Sequence, residues 1–139
     1  MAIFHLTVKC VSRSKGQSAT ASAAYRTATR IKDERTGEIW DFRRKRGVVH
    51  REVVLPAGAP MWANNRENLW NAAEASETRK NSTVAREFEV ALPSELRPND
   101  RRRLAMAYAR AIAERHRCAV DVAIHVPGRG GDTRNHHAH

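Results

Sequence analysis

The 139 residues amount to one domain's worth of chain, with little room for a second. Lys plus Arg number 25 against 15 Asp plus Glu, a formal charge of +10, while 41% hydrophobic residues argue against disorder throughout and allow a modest core. No apolar run reaches the length of a membrane span, and the first nine residues alternate instead of forming a signal block. Two cysteines, Cys10 and Cys118, make no disulfide framework, so a reduced, cytosolic protein is expected.

In chain order, residues 2–9 alternate with period two and predict a strand, with Ala2, Phe4, Leu6 and Val8 on one face. A polar loop with Arg13, Lys15 and Gly16 follows. Residues 19–31, rich in Ala and free of Gly and Pro, predict a helix capped by Ser18 and carrying Tyr25. Residues 38–42 suggest a short hairpin arm, followed by the basic run Arg43, Arg44, Lys45 and Arg46. The β-branched stretch 48–55 reads as a strand or extended segment, ended by Pro56. A helix is expected over 65–80, and a strand over 85–92 with Glu87 and Glu89 on its polar side. The longest helical pattern is 99–116, with Asn99 as its cap. The clearest strand is 119–126, where Val120, Val122 and Ile124 oppose Asp121, Ala123 and His125. The fold class is α+β, a central antiparallel sheet with helices packed on one face.

The charge points to a polyanionic partner, nucleic acid ahead of an anionic membrane surface. His137 and His139 stand two apart, so in an extended segment they share a face. A glycine-rich turn brings them back toward His125, and three imidazoles on neighbouring strands form one side of a metal site. The same histidines also fit a plain polar tail. Tyr25 reads either as packing or as a phenolic nucleophile toward a phosphodiester. Glu87 and Glu89 read as groups that orient a histidine or take a proton, or as surface partners for Arg. Arg13, Lys15 and Arg43 to Arg46 are candidate phosphate contacts. Trp40 and Phe42 are candidates for stacking on unpaired bases or for filling a hairpin core.

Three blocks carry a resemblance. They are residues 1–9 with 12–19 and Ala23-Ala-Tyr-Arg26; Glu87-Phe-Glu-Val-Ala-Leu-Pro-Ser-Glu-Leu96; and Ala123-Ile-His125 with Asn135-His-His-Ala-His139. In this order they resemble the MobA/MobL relaxases of mobilizable plasmids and the start of the TraA conjugation proteins. The resemblance implies a paired-histidine (HUH motif) endonuclease related in fold to polymerase palms. It implies nicking of one DNA strand at a plasmid transfer origin for conjugation, by metal-assisted transesterification with a 5′-phosphotyrosine intermediate. Tyr25 is then the nucleophile, and His125, His137 and His139 hold Mn²⁺ or Mg²⁺. Glu87 or Glu89 is the acidic residue beside them, and His5 is a weaker supporting candidate. His137 and His139 are preferred over His136 because they keep the histidine–hydrophobic–histidine pattern. The partners implied are single-stranded DNA, accessory relaxosome proteins and a coupling protein in the bacterial cytoplasm, without membrane insertion. The expected domain is a relaxase over 1–139, truncated at its C-terminal end. Two readings remain beside it: a non-catalytic basic nucleic-acid-binding module, and a replication initiator with the same chemistry.

Overall fold

A computed structural model of the chain describes residues 5–139. Ala2 and Phe4 of the first expected strand therefore lie outside the described residues. Five strands form one antiparallel sheet: β1 (Leu6–Ser12), β4 (Val48–Val54), β5 (Thr83–Leu92), β6 (Val120–His125) and β7 (His136–Ala138). Their spatial order is β1-β5-β7-β6-β4, so the short β7 is central. The remaining two, β2 (Arg30–Lys32) and β3 (Ile39–Asp41), make a separate hairpin.

The architecture is α+β, a central antiparallel sheet with a helix layer on one face. That layer is α3 (Pro98–His116), whose buried Ala105, Met106 and Ala109 meet Leu92, Val122, Ile124 and Ala138. Side chains alternate along a strand, so burying Val122 and Ile124 against α3 sends Asp121, Ala123 and His125 to the other side. There Asp121 meets α2 (Arg66–Ser76). It accepts from Arg66 Nε at 2.7 Å and Trp70 Nε1 at 2.9 Å. Helix α1 (Ala19–Thr27) packs against α2 and ends beside His125, at the opposite end of the strand from Asp121.

Element ends differ from expectation for local reasons. The first helix stops at Thr27, not residue 31, because Ala28 turns left-handed (φ 54°). The chain then enters the hairpin, where Ile31 is fully buried and pairs with Trp40. Helix α3 starts at Pro98, one residue before the expected cap, since proline at the first helical position forfeits no hydrogen bond. The stretch near residue 50 is a true strand, paired to β6 with a register shift between Val48 and His50.

One buried acid ties several elements together. Glu74 of α2 is 1% exposed. It accepts from the Ala19 amide at 2.6 Å, at the start of α1, and from Arg13 Nη2 at 2.8 Å. Arg13 also donates to the carbonyls of Glu74 and Glu77, satisfying the end of α2. Leaving Arg13 without its carboxylate strands a largely buried charge. Glu74→Ala is therefore expected to cost about 3–5 kcal/mol in urea unfolding. Arg97→Ala, which breaks an exposed pair with Asp100, is expected to cost under about 1 kcal/mol. Equal, small losses for both contradict the assignment.

Candidate metal centre and active site

Strand β6 ends on His125, and the chain returns as β7 with His137 directly opposite it. Ala138 is buried on the α3 side, so His137 and His139 share the other face with His125. Ligand-capable nitrogens of His125, His137 and His139 all lie within 4.8 Å of one another. Their ring centroids are 4.7–5.1 Å apart. His136 pairs with Leu92 and lies in the field of Arg101 of α3, outside the cluster.

Each imidazole has one nitrogen already engaged by an acceptor-only partner. His125 Nε2 donates to the Arg26 carbonyl at 2.7 Å, His137 Nδ1 to the Asn135 carbonyl at 3.1 Å, and His139 Nδ1 to Glu87 Oε1 at 2.9 Å. A carbonyl or carboxylate oxygen only accepts, so these nitrogens carry the protons. The free lone pairs are then on Nδ1 of His125 and Nε2 of His137 and His139. An outer partner on one ring nitrogen leaves the other nitrogen available to a metal ion. The donor set fits a divalent cation with room left for oxygen ligands.

Burial also favours the neutral, ligating form. It pushes His125 down to about 4 and His137 below its ordinary value. The hydrogen bond from His139, aided by Arg26, holds the Glu87 carboxyl below the usual carboxylate range despite its burial. Glu87 sits between those two groups, 2.9 Å from each. Glu89 lies near His137 and exerts a favourable field on it without a hydrogen bond to the cluster.

Helix α1 ends against His125, with Tyr25 one residue before the bonded Arg26. The carbonyls of its last turn are taken by groups from three other elements. Lys45 donates to Tyr25 at 2.9 Å, His125 to Arg26 at 2.7 Å and Arg51 to Thr27 at 3.3 Å. Tyr25 itself is 45% exposed. Phe42 meets its ring edge-on at 5.2 Å, and the Lys45 ammonium lies 3.6 Å from the ring centroid.

The other expected contacts divide. Lys15, Arg43, Arg44 and Arg46 are exposed. Arg43 is partnered by Asp41 at 2.6 Å. Arg13 is not a free phosphate contact, because Glu74 and the end of α2 occupy its guanidinium. Trp40 is not a free stacking platform; it packs on Ala23, Ala24 and Ile31. His5 is exposed, bonds Thr7 and lies outside the cluster. Arg26 is a residue of this site that sequence reasoning misses. It bridges Glu87 through its side chain and His125 through its carbonyl. Its position next to Tyr25 is the one signal that points to it.

A clustered-histidine face on a central antiparallel sheet is consistent with the paired-histidine endonuclease fold. Comparison with known proteins makes the class specific. The model of the MobA/MobL family matches residues 17–139. The chain is 48% identical over 127 residues to mobilization protein MobL of Acidithiobacillus ferridurans, covering 91% of this chain and 33% of that protein. It is 40% identical over 139 residues to the probable mobilization protein MobA of Bifidobacterium longum, covering 100% of this chain and 24% of that one. A solved structure described as "Molecular Basis of Vancomycin Resistance Transfer in Staphylococcus aureus" superposes with a TM-score of 0.90 at 39% identity, covering 99% of this chain and 68% of that chain. The chain belongs to the MobA/MobL family. It spans a third or less of the length of these two curated relatives.

The burial of His125 has a pH consequence. Its folded value of about 4 lies below the roughly 6.5 of an unfolded histidine. Between these values the unfolded chain binds a proton that the folded chain does not. Stability is therefore retained above pH 6.5 and withdrawn as the pH falls toward 4, by on the order of 3 kcal/mol. A ¹³C titration of the metal-free protein is expected to keep His125 neutral until the pH approaches 4. A midpoint near 6.5 contradicts the buried, carbonyl-bound geometry.

Proposed function

We propose that this domain is a relaxase. It nicks one strand of DNA at a plasmid transfer origin and retains the 5′ end on Tyr25. The observation that carries this reading is the joining of α1 to β6. The backbone of Arg26, next to Tyr25, is hydrogen-bonded to His125, one of three converging imidazoles. A phenol and a metal-binding face are thus held on one rigid framework in a member of a mobilization family.

His125, His137 and His139 would hold the ion, Mn²⁺ or Mg²⁺, and Glu87 fixes the ring of His139. When bound, the ion supplies Lewis-acid polarisation of the phosphate. The Tyr25 oxygen attacks phosphorus in line. The tyrosine–phosphorus bond forms as the bond to the 3′ oxygen breaks; the phenol loses its proton and the departing 3′ hydroxyl gains one. No water enters this step, so the phosphodiester energy is kept and the reverse reaction rejoins an end. Arg43, Arg44 and Arg46 supply exposed positive charge for the strand, with Lys15 as a further contact. Accessory relaxosome proteins and a coupling protein complete the partners, and the site of action is the bacterial cytoplasm. Among the described residues, no helix is long and apolar enough to cross a membrane.

Incubation with Mn²⁺ and a random-sequence pool of single-stranded oligonucleotides is expected to yield a covalent adduct that peptide mass spectrometry maps to Tyr25. Tyr25→Phe removes the adduct, while Tyr108→Phe keeps it. An adduct on another residue, or cleavage undiminished in Tyr25→Phe, contradicts the reading. Binding with no adduct from the wild-type chain favours a non-catalytic module.

Neutralising Arg43, Arg44 and Arg46 together to Gln should flatten the salt dependence of single-strand binding. The slope of log K against log salt falls by about 0.7 for each phosphate that is no longer neutralised, roughly 2 for three. An unchanged slope places the footprint elsewhere.

A further inference from the structure

Lys45 stands in the basic run Arg43 to Arg46, yet its setting differs from that of its neighbours. Arg43, Arg44 and Arg46 are exposed, whereas Lys45 is partly buried. Its ammonium donates to the Tyr25 carbonyl at 2.9 Å and lies 3.6 Å from the centroid of the Tyr25 ring. One cation thus grips the same residue by its backbone and by its ring face. An ammonium over an aromatic face is attracted by the ring quadrupole, and more strongly where water is excluded. Phe42, three residues before Lys45, meets the same ring edge-on at 5.2 Å. The Lys45 amide donates to the Phe42 carbonyl at 2.9 Å, closing a tight turn that presents both side chains to Tyr25.

We propose that Lys45 is a positioning residue for Tyr25, clamping the ring in one rotamer instead of serving as a phosphate contact. A tyrosine on a helix surface that is 45% exposed otherwise samples more than one staggered χ1 well. A nucleophile that must approach phosphorus in line loses rate whenever its ring swings out of the productive well. The clamp leaves the phenolic oxygen unengaged, since its contacts are with the ring face and the backbone. Burial and the nearby Arg26 charge push the Lys45 ammonium below its usual range, while Glu87 opposes them. An ammonium so enclosed is poorly placed to take a phosphate as a second partner.

The role in catalysis rests on Tyr25 being the nucleophile; the clamp itself does not. Two measurements keep these apart. In a Tyr108→Phe background Tyr25 is the sole tyrosine, and three-bond couplings to its ring carbon report χ1 directly. A single rotamer is expected with Lys45 present and rotamer averaging in Lys45→Met, which keeps most of the stem and removes the charge. Lys45→Arg, which keeps a cation and donors, is expected to restore much of the preference. Averaging already present with Lys45, or no change in Lys45→Met, overturns the clamp.

The second measurement uses the oligonucleotide recovered as the wild-type adduct, with Mn²⁺. Lys45→Met is expected to slow single-turnover cleavage roughly 10- to 100-fold while DNA affinity stays within about twofold. Arg44→Met is expected to weaken DNA affinity instead. Weakened affinity with an unchanged cleavage rate in Lys45→Met makes Lys45 a phosphate contact and overturns the proposal. Cleavage that survives Tyr25→Phe removes the catalytic role but leaves the coupling measurement to decide the clamp.

Discussion

A helix that ends leaves carbonyls without partners, and the way α1 satisfies them organises this molecule. The carbonyls of Tyr25, Arg26 and Thr27 receive hydrogens from Lys45, His125 and Arg51. These donors come from the basic segment after the hairpin, from β6 and from β4. The negative end of the helix dipole favours two of them as cations. The third, His125, gains a fixed tautomer. The same bonds that finish a helix therefore orient an imidazole and grip the tyrosine that precedes its partner Arg26. A shift of α1 along its axis would disturb all three together.

The start of α1 is held as firmly as its end. Ser18 caps it through the Ala21 amide, and Glu74 accepts from the Ala19 amide. Glu74 also binds Arg13, while Asp121 binds Arg66 and Trp70. Buried acids with several partners are costly unless every partner is in place, so they specify one docking of α1 and α2 against the sheet. Precision at the histidine face thus depends on charges well removed from it. The hairpin adds Trp40 and Ile31 behind α1, with Ala23 and Ala24 small enough for close approach.

Much of this is legible in the sequence. Period-two alternation exposes β5 and β6, and the faces it separates are those of the structure: Val122 and Ile124 toward α3, His125 away from it. The spacing of His137 and His139 places both on one side of β7. What stays hidden are bonds across long stretches of chain. His125 to Arg26 spans 99 positions, and no periodicity encodes it. Glu87 and Glu89 share a strand face and are equivalent until the positions of Arg26 and His139 distinguish them. By residue type alone Arg13 and Trp40 suit contact with DNA. Their actual partners, Glu74 and the Ile31 cluster, lie on segments that only folding brings near.

In the proposed metal site, the outer hydrogen bonds of the three histidines select which nitrogens face an ion. Anomalous diffraction from crystals soaked in Mn²⁺ tests this most directly. One peak is expected at roughly 2.0–2.3 Å from Nδ1 of His125 and from Nε2 of His137 and His139. The bonds to Arg26, Asn135 and Glu87 are retained. A peak held by His136, or one bound through Nε2 of His125 with the Arg26 carbonyl released, contradicts it.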